Sequence, residues 1–135
     1  MKTVKSIFAS FILIALVSVS AFAGTDSNVI AVVNKAEWCP TCQKNGMRAM
    51  ETFKANNEDM AIHFIANDLT DDESKKKSAE ALEKVGLAKV MADHKGTGVV
   101  YFFDAESKEL INQVSVAKPN EELAEAIATA KRGAE

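Results

Sequence analysis

Apolar residues in this chain fall into short runs whose period changes from one run to the next. Val29 to Val33 is continuous and mostly β-branched, the pattern of a strand buried on both faces of a parallel sheet. From Pro40 to about Asn56 the spacing becomes helical, with Met47, Met50 and Phe53 along one stripe and Asn56-Asn57 as the stop. Met60 to Ala66 is a second apolar run, so the first three elements are expected to form a βαβ unit. A further helix is expected from Asp71 or Asp72, an N-cap followed by acids in its first turn, through Ala79, Leu82 and Val85 to Gly86. Leu87 to Lys95 predicts one more helical turn, Gly96-Thr97-Gly98 a break, and Val99 to Phe103 a strand. Asp104 to Lys108 turns into Glu109 to Val116 as a hairpin partner, and Pro119 opens a closing helix with Leu123, Ala126, Ile127 and Ala130 on one face. The order β-α-β-α-β-β-α predicts an α/β fold in three layers, with helices on both faces of a mixed four-stranded sheet.

The stretch ahead of these runs has a different grammar. Lys2 and Lys5 give a basic start, Ile7 to Val17 an uncharged apolar run, and Ala21-Phe22-Ala23 a small-x-small cleavage signal before Gly24. Residues 1–23 therefore read as a secretory signal, and residues 24–135 as one domain. The apolar run is short and N-terminal for a membrane span, although it would anchor the chain if left uncleaved, and no cysteine follows the cleavage position to carry a lipid anchor. Loss of Lys2 and Lys5 makes the formal charge of −3 more negative still. A mildly acidic, mixed-sign surface argues against nucleic acid as a partner. The product is expected to be periplasmic or secreted and monomeric. The basic run Lys75-Lys76-Lys77 follows Asp71, Asp72 and Glu73 and reads as the solvated first turns of a helix.

The chemistry is concentrated where the first strand meets the first helix. The only two cysteines, Cys39 and Cys42, stand there in Trp38-Cys39-Pro40-Thr41-Cys42. Cys39 is placed to cap the helix and Pro40 to be its first residue, where the missing proline N–H costs nothing. Unpaired N–H groups and the positive end of the helix dipole stabilise a thiolate at that point. A thiol of pKa ~8.5, only about 3% ionised at neutral pH, becomes a competent nucleophile. Cys42, one turn later, shares its side of the helix and can attack a mixed disulfide formed at Cys39. Trp38 offers an apolar contact surface beside the pair.

Two other uses of the pair are open. An inert cross-link would close a loop of about four residues and stabilise the fold by only ~2 kcal/mol. A structural zinc site needs four ligands, and beyond the two cysteines the chain has only His63 and His94, without histidine-pair spacing. His63 lies in an apolar run and reads as a packed histidine. His94, in a long stretch before the glycine break, is a candidate proton acceptor or ligand. Glu37 and Lys35 flank the motif as solvated charges.

Ala36-Glu37-Trp38-Cys39-Pro40-Thr41-Cys42 resembles the active-site segment of the thioredoxin family. The element order is similar to that family's core without its extra N-terminal strand and helix, over most of residues 28–131. Within the family the spacing is most similar to periplasmic thiol:disulfide reductase domains. The resemblance implies an exposed attacking cysteine at Cys39, a buried resolving cysteine at Cys42, and an aromatic neighbour at Trp38. It also implies disulfide or dithiol protein clients, a redox partner protein, and no organic cofactor, since the dithiol carries the two electrons. Two positions depart from the pattern. The family's cis-proline loop is matched by Thr97-Gly98, with glycine at the proline's place. The buried carboxylate beneath the resolving cysteine is matched by Val33, leaving Cys42 without that base. The glycine leaves room near the sulfurs for a metal, so a metal-delivery module stands as an alternative, as does a redox-inert binding module.

Overall fold

A computed structural model describes residues 27–134, so the signal at residues 1–23 lies outside the described residues. The elements are β1 (Val29–Lys35), α1 (Pro40–Ala55), β2 (Ile62–Asp68), α2 (Asp72–Lys84), the short α3 (Ala88–Met91), β3 (Val99–Asp104), β4 (Leu110–Ser115) and α4 (Asn120–Gly133). The sheet runs β2-β1-β3-β4. Strands β1 and β2 are parallel and the remaining pairings antiparallel, which gives the expected mixed sheet.

Burial on both faces explains why β1 carries no alternation. Val29 and Ala31 face one core with Val100 and Phe102 of β3, closed by Ala49 and Phe53 of α1 and by Leu123, Ile127 and Ala130 of α4. Ile30 and Val32 face the other with Tyr101 and Phe103, closed by Leu82 of α2, Leu87, and Met91 of α3. Each face of the central strands thus needs its own helical layer. Asp71 caps α2 by accepting the Ser74 N–H at 2.8 Å, a bond that, with the Ser74 hydroxyl, holds its carboxyl below the usual range.

Three expectations are corrected. The buried stripe of α1 is Ala49 and Phe53, whereas Met47 and Met50 are 80% and 43% exposed. Packing of α1 against α4 turns the small Ala49 inward and leaves both methionines at the rim. Met60 belongs to a left-handed turn, φ 58°, and β2 begins at Ile62. That start is fixed by Asn57, whose side chain accepts the Ile62 N–H at 3.0 Å and donates to the Ile62 carbonyl at 2.8 Å. His63 is an exposed residue of β2 rather than a packed one. Among the described residues no helix is long and apolar enough to cross a membrane.

Phe53 is fully buried, stacked on Phe64 with ring centroids 5.6 Å apart and edge-on to Phe102 at 6.4 Å. Phe53→Ala is expected to cost about 3–5 kcal/mol in urea unfolding, because neighbours on three elements cannot collapse into the space. A loss below ~1 kcal/mol would show that this core is not the one that holds the sheet to α1.

Candidate functional site

The end of β1 delivers the chain to the start of α1 through Ala36-Glu37-Trp38. That loop is tied to the segment after β2. The Glu37 N–H donates to Thr70 Oγ1 at 3.0 Å and the Trp38 indole N–H to the Thr70 carbonyl at 3.1 Å. Thr70 is held in turn by Asp68, whose carboxylate accepts from its N–H and hydroxyl. The hydroxyl bond is the first cause of the low pKa of Asp68. Trp38 therefore stays fixed while 58% of its surface is exposed.

Cys39 is the N-cap of α1, and Pro40 follows at the first helical position. The Cys42 N–H donates to Cys39 Sγ at 3.2 Å, where an aspartate or serine oxygen accepts in most helices. Burial raises the Cys39 pKa, but it is outweighed by hydrogen bonds from the Cys42 thiol, the Thr97 hydroxyl and the backbone of Cys42 and Thr41. The thiol is held below its ordinary range. For Cys42 the first cause is again burial, and the hydrogen bond and charge of Cys39 push the same way, so this thiol is raised. Both cysteines are free thiols. The environments thus split the pair into a readily ionised and a reluctantly ionised sulfur.

Accessibility runs opposite to what the resemblance implies. Cys39 is only 3% exposed, whereas Cys42 is half-buried. The cover includes Thr97-Gly98, which lies on the dithiol. A Cβ on Gly98 would come within 3.0 Å of Thr41 Cγ2 and 3.7 Å of Cys39 Sγ. Gly98 has φ +75°, its N–H donates to the Asn34 carbonyl at 2.8 Å, and its carbonyl accepts the Val116 N–H at 2.9 Å. Proline suits neither that φ nor that donor, which is the physical reason the position departs from the family pattern.

Trp38, Pro40, Thr41, Thr97 and Gly98 are thus placed around Cys39 and Cys42. His94 is not: its ring packs on Tyr101 at 4.9 Å and Phe103 at 6.2 Å. Among the described residues no group of three or more His, Cys, Asp or Glu side chains is placed to hold a metal ion. The metal alternative therefore lacks the third ligand it drew from His94. Lys35 lies opposite Asp68 in the β1–β2 register and helps lower that carboxyl.

An apolar groove of about 480 Å³ opens beside Cys42, between α1 and strands β1 and β2, with Val33, Gly46, Met50 and Phe64 among its walls. A Cβ on Gly46 would meet nothing within 4 Å, so this helical glycine faces open space. A second cavity of about 460 Å³ lies on the other side of the sheet, with Trp38, His94 and Thr97 in its walls. Thr70, Asn34 and Asn67 also belong to the surroundings of the site, although no motif in the sequence points to them. Asn34 and Asn67 each break an apolar strand run at its C-terminal end, the signal that marks them.

No protein-family model and no curated protein sequence matches the chain. Solved structures do. Trxlp from Edwardsiella tarda is similar at TM-score 0.50 and 13% identity, over 82% of this chain and 91% of that one. A thioredoxin from Malassezia sympodialis is similar at TM-score 0.50 and 20% identity, over 82% of this chain and 83% of that one.

Two outcomes are expected. Iodoacetamide at pH 7 should modify Cys39 before Cys42, with the Cys39 rate profile centred below the ordinary thiol pKa of ~8.5. Peptide mass spectrometry across pH reads this, and a reversed order would refute the assignment of the ionisable sulfur. Gly98→Ala should destabilise the reduced protein by about 1–2 kcal/mol or more in urea unfolding, through its left-handed φ and its contact with Thr41. A neutral effect would mean the loop does not press on the dithiol. The comparisons and the sheet order together establish that residues 27–134 adopt the thioredoxin-like fold.

Proposed function

We propose that this chain is an exported thiol-disulfide oxidoreductase acting on protein clients, with Cys39 as attacking thiol and Cys42 as resolving thiol. The observation that carries the proposal is the Cys39 sulfur at the N-cap of α1, accepting the Cys42 N–H at 3.2 Å. A thiolate is stabilised where the helix presents unpaired N–H groups.

The Cys39 thiolate attacks one sulfur of a client disulfide. A Cys39–client mixed disulfide forms, and the departing client sulfur leaves as a thiolate that takes up a proton. Negative charge leaves Cys39 in that step, which removes one of the causes that keep Cys42 protonated. Cys42 then loses its proton and attacks the Cys39 sulfur, releasing the second client thiol and leaving a Cys39–Cys42 disulfide. Two electrons and two protons have passed to the client, and a dithiol donor must reduce the pair again. No carboxylate stands at Val33 to take the Cys42 proton, so water entering the groove beside this half-buried thiol receives it.

We assign the reductase direction from the likeness of the motif spacing to periplasmic reductase domains, and export from the leader-like residues 1–23. Monomeric action, with a separate redox partner protein, completes the proposal.

Cys42→Ser should accumulate a mixed disulfide through Cys39 when the reduced protein meets a disulfide-bonded peptide, and Cys39→Ser should not. Non-reducing electrophoresis with peptide mapping reads the difference, and equal trapping by both variants would overturn the roles. Equilibration with glutathione or dithiothreitol buffers then fixes the direction. A potential near or below about −250 mV makes the protein a reductase, and one near −120 to −180 mV an oxidase or isomerase.

A further inference from the structure

Asn34 is fully buried and Asn67 is 7% exposed. Both sit at the C-terminal ends of parallel strands and are register partners across β1 and β2. Strand positions this enclosed are ordinarily aliphatic, because a buried amide must find partners for every polar atom. These amides do. Asn34 Oδ1 accepts from Asn67 Nδ2 at 2.9 Å, and Asn34 Nδ2 donates to the His94 carbonyl at 2.9 Å. The carbonyl of His94 can only accept, so it fixes which end of the Asn34 amide faces it. The main-chain carbonyl of Asn34 accepts the Gly98 N–H at 2.8 Å. One residue of β1 thus grips both ends of the segment from His94 to Gly98, with its side chain at one end and its backbone at the other. Thr97, whose side chain helps to lower the Cys39 pKa, lies between the two grips, and the adjoining Gly98 stands over the dithiol, where an added Cβ would fall 3.7 Å from the Cys39 sulfur.

We propose that Asn34, oriented by Asn67, is a positioning residue that holds the Thr97–Gly98 loop against Cys39 and so sets how readily that thiol reacts. The inference rests on the assignment of Cys39 as attacking thiol. Neither amide touches the sulfur; their action passes through the loop. The chemical sense is direct. If the His94 end of the segment is released, Thr97 and Gly98 are no longer held against the sulfur, and the thiolate loses what that loop contributes. The ionisable groups on the elements around Cys39 are Lys35, Glu37, Cys42, Lys44 and Arg48 up to and along α1, Asp68 and Asp71 on either side of Thr70, and His94 and Lys95 before the loop. Among the described residues no ion pair ties any of these to another group, and of them only Cys42 is among the groups that shift the Cys39 thiol. A merely structural clasp would support the end of the sheet and leave the reactivity of Cys39 unchanged.

The test uses the full domain in three forms beside wild type: Asn67→Ala, the double variant Asn34→Leu with Asn67→Leu, and Thr97→Val. Replacing both amides together with apolar groups of similar size leaves no orphaned partner between them and is the variant most compatible with folding. The readouts are the Cys39 alkylation rate as a function of pH, the reduction potential, and the urea midpoint. The double variant is expected to stay folded, to shift the Cys39 profile to higher pH, and to react about three- to tenfold more slowly near pH 6.5. Its potential should become more negative, because a less stabilised thiolate disfavours the reduced form. Thr97→Val should reproduce the shift, and combining it with the double variant should add little, since both remove the same donor. A folded double variant that titrates like wild type would overturn the proposal, as would full additivity with Thr97→Val. If the double variant does not fold, Asn67→Ala decides by itself: a smaller shift in the same direction supports the clasp, and an unchanged profile overturns it. Client trapping by Cys42→Ser separates this proposal from the one beneath it. With trapping intact and the profiles unmoved, only the clasp fails; with no trapping, the oxidoreductase assignment fails and the clasp falls with it.

Discussion

The bond from the Cys42 N–H to the Cys39 sulfur is the constraint around which the rest of the site is arranged. It exists only if the sulfur sits at the N-cap of α1, and that placement needs a strand ending just before it and a helix starting just after it. Strand β1 meets the first need because it is the central parallel strand, buried on both faces and so fixed in position. Pro40 meets the second, since its fixed φ begins the helix at no cost in hydrogen bonds. Thr70 holds the intervening loop, and with it Trp38, from the end of the neighbouring strand. The sheet positions the sulfur, and the helix supplies the field that polarises it.

Much of this architecture can be read from the chain because its determinants are local. The unbroken apolar run of β1 needs two cores, the proline and cysteine spacing marks the N-cap, and Asp71 with its acidic first turn marks α2. Determinants that depend on partners distant in sequence are harder to read. Met47 and Met50 match a helical stripe as well as Ala49 does, and only the small interface with α4 turns Ala49 inward. Met60 is as apolar as a strand residue, and the Asn57 side chain that delays β2 to Ile62 acts through hydrogen bonds that no periodicity reports. Accessibility of the two thiols is of the same kind, because the loop that covers Cys39 arrives from residues nearly sixty positions away.

Glycine at position 98 is one consequence of that loop's anchoring. A loop that carries proline offers no N–H, so it must be held by other contacts. This loop instead gives its N–H to Asn34 and its carbonyl to Val116, and is therefore tied to both β1 and the end of β4. The left-handed φ that allows both bonds admits glycine with least strain, and the missing Cβ leaves room for Thr41 and the Cys39 sulfur. Glycine at this position thus lets two backbone bonds hold the loop beside the dithiol.

Val33 raises the matching question for the second sulfur. An acid enclosed beneath a resolving thiol serves as its base when water is excluded; here the groove beside Cys42 is open, and the reason is visible along α1. Gly46 contributes no side chain, its Cβ direction faces empty space, and Met47 and Met50 flank the opening instead of filling it. Cys42 is consequently the more exposed of the two thiols. On the proposed mechanism its raised pKa keeps it protonated while Cys39 carries charge, and solvent in the groove takes the proton once that charge has moved into the mixed disulfide. The open groove and the absent carboxylate are then two sides of one arrangement, in which solvent access does the work of a buried base.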